Sequence, residues 1–131
     1  MGDERGAVTA FVVTFTVALL GVAGLVGDGG FVLAAHRQAA DEAEAAARAG
    51  AQAVDEGALR AAGTVALDPD AARARALDYL AATGHRGRVE VTGDTVWVEV
   101  SFERDLTLLR MFGLGPVTVT GDGEAHGVRG P

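Results

Sequence analysis

Three stretches with different spacings of apolar residues follow one another along the chain. From Ala7 to Gly27 no charge interrupts a run that includes Val8, Phe11, Phe15, Leu19, Leu20, Leu25 and Val26. Coiled at 1.5 Å per residue, the run is about 31 Å long, close to the roughly 30 Å hydrocarbon core of a bilayer. At about −0.3 to −0.6 kcal/mol for each strongly apolar residue, insertion is favoured by roughly 3 to 7 kcal/mol, less what its threonines and glycines subtract. The run therefore predicts a transmembrane helix. The rival is a cleaved secretory signal ending at Val22-Ala23-Gly24. Asp3 and Glu4 in the leader, and a run longer than the roughly 7 to 15 residues of a signal's apolar region, weigh against it.

Gly27-Asp28-Gly29-Gly30 marks the expected membrane exit. Each glycine weakens a helix by about 1 kcal/mol relative to alanine, and a carboxylate is costly in hydrocarbon, so a kink or pause is expected at Asp28, Gly29 and Gly30. The helix should resume at Phe31 as an alanine-rich stretch with a thin apolar stripe of Leu33, Ala40, Ala43, Ala47, Ala51 and Val54. Asp41, Glu42, Glu44 and Arg48 read as a solvated face, with Glu44 and Arg48 spaced for an i, i+4 ion pair. A second helix opens at Leu67-Asp68-Pro69, where Asp68 suits the N-cap and Pro69 the first turn. Its expected buried face is Ala72, Ala76, Leu77, Leu80 and Ala81, and Gly84 stops it. Capping explains Asp68-Pro69-Asp70 better than metal binding, since no further ligands stand at calcium-loop spacing.

From Arg88 the period changes to two. Val89 and Val91 alternate with polar residues, Gly93-Asp94 turns the chain, and Val96, Val98, Val100 and Phe102 share one face of a longer strand. Trp97 falls on the opposite face with Glu99 and Ser101, as a partly exposed aromatic or a contact for another element or subunit. A helical turn is expected around Leu108 to Phe112. A third strand should then run from Val117 to about Val128, its Gly121 to Gly127 portion weak strand or loop.

Composition sharpens this picture at two points. Mean hydropathy is +0.23 although 22% of the 131 residues are charged, which the single apolar run accounts for. The net charge of −7 argues against a nucleic-acid partner. Without cysteine there is no disulfide, thiolate zinc site or cysteine nucleophile. His36, His85 and His126 are scattered without metal-site spacing and read as solvated residues. Ser101 is the single serine, and no nucleotide-binding or nucleophile-elbow motif occurs. No catalytic residue, metal or cofactor is expected, and the protein is not expected to be an enzyme.

The N-terminal half resembles the TadE/TadG-like proteins of the Tad (Flp, tight-adherence) pilus-assembly system. The matching features are Arg5-Gly6, the uncharged span ending at Gly24-Leu25-Val26 and Asp28, the glycine pair, and Gln38-Ala39-Ala40-Asp41 before an alanine-rich helix, over about residues 5 to 53. The resemblance implies a non-enzymatic, pseudopilin-like membrane protein with a small α/β head outside a bacterial cell. Some relatives are cut by a prepilin peptidase after a glycine, five residues before a glutamate. Here that bond is Gly6-Ala7, and the glutamate position holds Phe11.

The residues also suggest how such a protein associates. Gly6, Ala10, Thr14 and Ala18 form a ridge at i, i+4 spacing, and Ala23 and Gly27 add a second small pair, a pattern that lets membrane helices pack closely. The equally plain alternative is that small residues are common in membrane helices. The expected architecture is α+β: a cytoplasmic leader (1–6), a transmembrane helix (7–27), an alanine-rich extracytoplasmic extension and link (28–66), and a pilin-like head (67–131) of one helix on a three-stranded antiparallel sheet. Expected partners are membrane lipid, other Tad/Flp assembly proteins or pseudopilins, and homo- or hetero-oligomeric copies. Two alternatives stay open: a membrane-tethered binding module that uses Trp97, unrelated to pili, and a secreted protein after signal cleavage.

Overall fold

The structure is a computed structural model that describes residues 2–127. It is α+β, with a three-stranded antiparallel sheet in the order β1-β2-β3 and its helices α1 (Gly2–Ala51) and α3 (Pro69–Thr83) packed on the same face. The strands are β1 (Arg86–Thr92), β2 (Thr95–Arg104) and β3 (Val117–His126). Two short helices, α2 (Glu56–Ala62) and α4 (Thr107–Met111), lie in the connections. The expected end of the third strand near Val128, like Met1 of the leader, lies outside the described residues.

Helix α1 runs unbroken through Gly27, Asp28, Gly29 and Gly30, so the expected pause does not occur. A glycine penalty of about 1 kcal/mol each is small beside the cooperativity of a helix already formed on both sides. The first half of α1 is long and apolar enough to cross a membrane, and its apolar window is not buried by the rest of the protein. The second half carries the core. Its buried residues are Ala35, Ala39, Ala43, Ala46, Ala47, Gly50 and Ala51. The expected stripe is thus rotated at its start, where Leu33 is exposed and Ala35 and Ala39 replace it and Ala40 as the innermost positions.

The inner face of the sheet explains why this half of the helix is so poor in large side chains. On β2, Val96, Val98 and Val100 are fully buried, and beside them on β3 stand Ala125, Gly123 and Gly121. A Cβ at Gly121 would lie 2.4 Å from the Ala40 nitrogen, and one at Gly123 would lie 2.4 Å from the Glu44 nitrogen. Glycine on the strand and alanine on the helix therefore let the two backbones meet. Far from becoming a loop, this segment stays a regular strand to His126, with Thr118, Thr120, Asp122 and Glu124 outward.

Helix α3 is fixed at both ends as its sequence predicts. The Asp68 carboxylate accepts from the Asp70 and Ala71 amides at 3.1 and 3.2 Å, and Gly84 closes the helix at φ 78°. Ala72, Ala76 and Leu80 are buried, whereas Leu77 and Ala81 are exposed, so the real buried face is narrower than expected. Gly93 has φ 61° at the first of two residues between the paired Thr92 and Thr95, the glycine position of a type II′ hairpin turn. The link between α1 and α3 is tied down by the Val54–Leu67 bridge and by Asp68 donating to the Ala53 carbonyl at 2.9 Å.

Candidate functional site

Two surfaces and one polar cluster are candidates for function. The first surface is the exposed half of α1. Gly6, Ala7, Ala10, Thr14, Ala18, Ala23 and Gly27 all lie on it with their side chains exposed. A Cβ at Gly6 or Gly27 would meet nothing within 4 Å. The ridge is therefore presented outward along one unbroken helix, beside Phe11 and Phe15, whose rings stack at 6.0 Å.

At Gly24 this surface stops being bare. Leu108 of α4 packs so closely that a Cβ at Gly24 would fall 2.5 Å from its Cδ1. One turn further on, Asp28 is buried, and its carboxylate accepts from the Leu108 amide at 3.1 Å. Leu106, the residue before α4, makes no side-chain capping bond, so Asp28 supplies from another helix the acceptor that a local cap would otherwise provide. Asp28 was expected to mark an exit by its charge alone. Its partner was not legible, because a donor eighty positions away leaves no local spacing; the usable signal was a lone aspartate in an apolar stretch without a nearby cation.

The second surface is the open face of the sheet. Trp97 is half-buried there, paired across the strands with Glu90 on one side and Glu124 on the other. In the next row Glu99 lies between Arg88 and Asp122. The face is thus an indole set among carboxylates.

The polar cluster lies at the other edge of the head, and sequence reasoning missed it. Glu42 is not simply solvated: its Oε2 is 2.6 Å from His85 Nδ1, with the two side chains only 15% and 24% exposed. Gln38 donates to the other carboxylate oxygen at 2.9 Å. The His85 ring stacks on Phe102 at 4.4 Å, Arg104 lies 5.2 Å from the same ring, and its guanidinium donates to Gln38 at 2.8 Å. Burial alone would raise the Glu42 carboxyl, but hydrogen bonds from His85 and Gln38, attraction to His85 and a further bond from Thr83 outweigh it, so the net shift is downward. This cluster joins α1 to the start of β1 and the end of β2. His36 is likewise engaged, donating to the Thr120 carbonyl at 3.1 Å, while Glu44 and Arg48 form the expected ion pair.

Among the described residues no group of three or more histidine, cysteine, aspartate or glutamate side chains is placed to hold a metal ion. The structure brings Asp28 and Gly24 together with α4, but leaves Trp97 and the small-residue ridge as separate surfaces. No family model, curated protein or solved structure matches the chain.

Proposed function

We propose that this chain is a membrane-anchored, pilin-like accessory protein of the TadE/TadG-like kind, acting in Tad (Flp) pilus assembly or the related secretion machinery. The observation that supports it most is α1 itself, a single helix whose first half is an exposed apolar rod and whose second half is the spine of a small sheet domain. A bilayer supplies the environment that the first half lacks within the protein. In this reading residues 7–27 cross the membrane, the leader is cytoplasmic and the head extracytoplasmic.

Its action is association rather than chemistry. The ridge of Ala10, Thr14 and Ala18 permits close approach of another membrane helix, with Ala23 and Gly27 extending the contact, and the head follows rigidly. Phe11 supplies no carboxylate to the amine that cutting at Gly6-Ala7 would create, so the reading does not depend on that cut. Deleting the gene in its native bacterium tests the proposal: loss of surface pili, restored by the wild-type gene and not by an Ala10→Leu, Ala18→Leu double variant, is expected. Unchanged piliation overturns it. The mass of the mature chain separates the rival, because a mature N-terminus at Leu25 would remove the anchor.

A further inference from the structure

Three apolar residues at the end of α4 and in the link that follows it are not absorbed by the fold. Met111, Phe112 and Leu114 are 77%, 79% and 56% exposed, the most exposed large hydrophobic side chains outside α1 among the described residues. They do not stand on a slack link. Asp28 holds the start of α4, and its end is a Schellman closure: Gly113 at φ 75° donates to the Arg110 carbonyl at 3.1 Å, and Leu114 donates to the Leu109 carbonyl at 2.9 Å. A helix of barely one turn is thus pinned at both ends, with Leu108 turned inward onto Gly24 and Met111, Phe112 and Leu114, at its end and just beyond, turned outward.

Its height along α1 identifies what it meets. Leu108 rests on Gly24, inside the uncharged run 7–27, and exposed apolar side chains continue along α1 past Asp28 at Phe31 and Leu33. Asp28, the one charge that α1 carries between Arg5 and Arg37, is turned onto the α4 amide. A protein partner seated on Phe112 would have to enter the same layer as the upper end of the apolar rod. In the reading of residues 7–27 as a membrane span, lipid occupies that layer.

We infer that α4 and the link through Leu114 form a membrane foot, with Met111, Phe112 and Leu114 immersed in the interfacial layer of the leaflet from which α1 emerges. This rests on the reading of residues 7–27 as a membrane span. Interfacial elements sink their apolar face about 5–10 Å into the boundary between headgroups and acyl chains, and the exposed Arg110 can extend its guanidinium to the phosphates.

The natural absence of cysteine makes the test direct. Single variants Val17→Cys, Phe112→Cys, Leu114→Cys and Asp122→Cys of the full chain carry a spin label in vesicles of phosphatidylcholine with phosphatidylglycerol. Collision with oxygen, which concentrates in lipid, is compared with collision with a water-soluble nickel chelate. All four positions are exposed, so labelling leaves the core intact. Labels at 112 and 114 are expected to show a several-fold higher oxygen-to-nickel ratio than the label at 122, with the label at 17 higher still. A label at 112 as open to nickel as that at 122, while position 17 is in lipid, overturns the foot and leaves the span standing. A label at 112 shielded from both probes means that protein covers it and also overturns the foot. Position 17 in water overturns the span and the foot with it.

Discussion

Between Val8 and Val26 α1 turns valine, leucine and phenylalanine outward where the apolar window of the helix stays unburied, whereas between Ala35 and Ala51 it presents alanine and glycine to the sheet. Hydrophobicity alone would assign the core to the first half. Size reverses that assignment. Large side chains contribute most when the surroundings are lipid or a deep core, while small ones allow the backbone of a helix to lie against the backbone of a strand. The valines of β2 supply the bulk that α1 omits, and the glycines of β3 remove the bulk that would hold it away.

The sharpest way to break this contrast is to add volume where the backbones meet. Gly121→Val should destabilise the head by about 3 kcal/mol, because its side chain would meet backbone atoms of Ala39 and Ala40 that cannot swing aside. Urea unfolding of the full chain in micelles, followed by the fluorescence of the single tryptophan, Trp97, checks it. The same substitution in the two halves should then give opposite results. Ala43→Leu is expected to cost about 2 kcal/mol in that assay, and Ala18→Leu close to nothing, since the first is fully buried and the second exposed. Equal losses would end the distinction between the halves.

At the boundary between them, Asp28→Ala should cost about 1 kcal/mol and speed amide exchange at Leu108, while Asp28→Asn, which keeps an acceptor, should lose much less. The smallest expected effect concerns the docked half alone. Because the folded Glu42 carboxyl titrates below its unfolded counterpart, its contribution is complete above the ordinary glutamate range and is lost as pH falls through the lowered folded value. For a partly solvated pair this is under about 1 kcal/mol, and Glu42→Gln should flatten that part of an acid stability profile.

Much of the fold was legible because its signals are local. Asp68-Pro69 and Gly84 bracket α3, Gly93 sets the hairpin, and the valines of β2 keep a strict alternation. The misreadings, and the choice between weak strand and loop left open in β3, share a cause. At Gly27 to Gly30 local propensity was outweighed by helix on either side and by the bond from Leu108 to Asp28. In β3 the alternation never stops after Val119, but the inward residues shrink to Gly121, Gly123 and Ala125, so the pattern persists in size after it fades in hydrophobicity. His85 and Glu42, forty-three positions apart, meet only because α1 crosses the sheet, and no spacing announces that. For the candidate site, the exposed ridge of α1 could be read from residue types, whereas the seat of α4 at Gly24 could not.

The continuity of α1 through its glycines has a mechanical consequence. Fifty helical residues without a hinge make a stiff shaft about 75 Å long. With α4 braced against it at Gly24 and Asp28, a torque on the head is transmitted to the apolar half rather than absorbed between them. Tilt or rotation at one end is therefore displacement at the other.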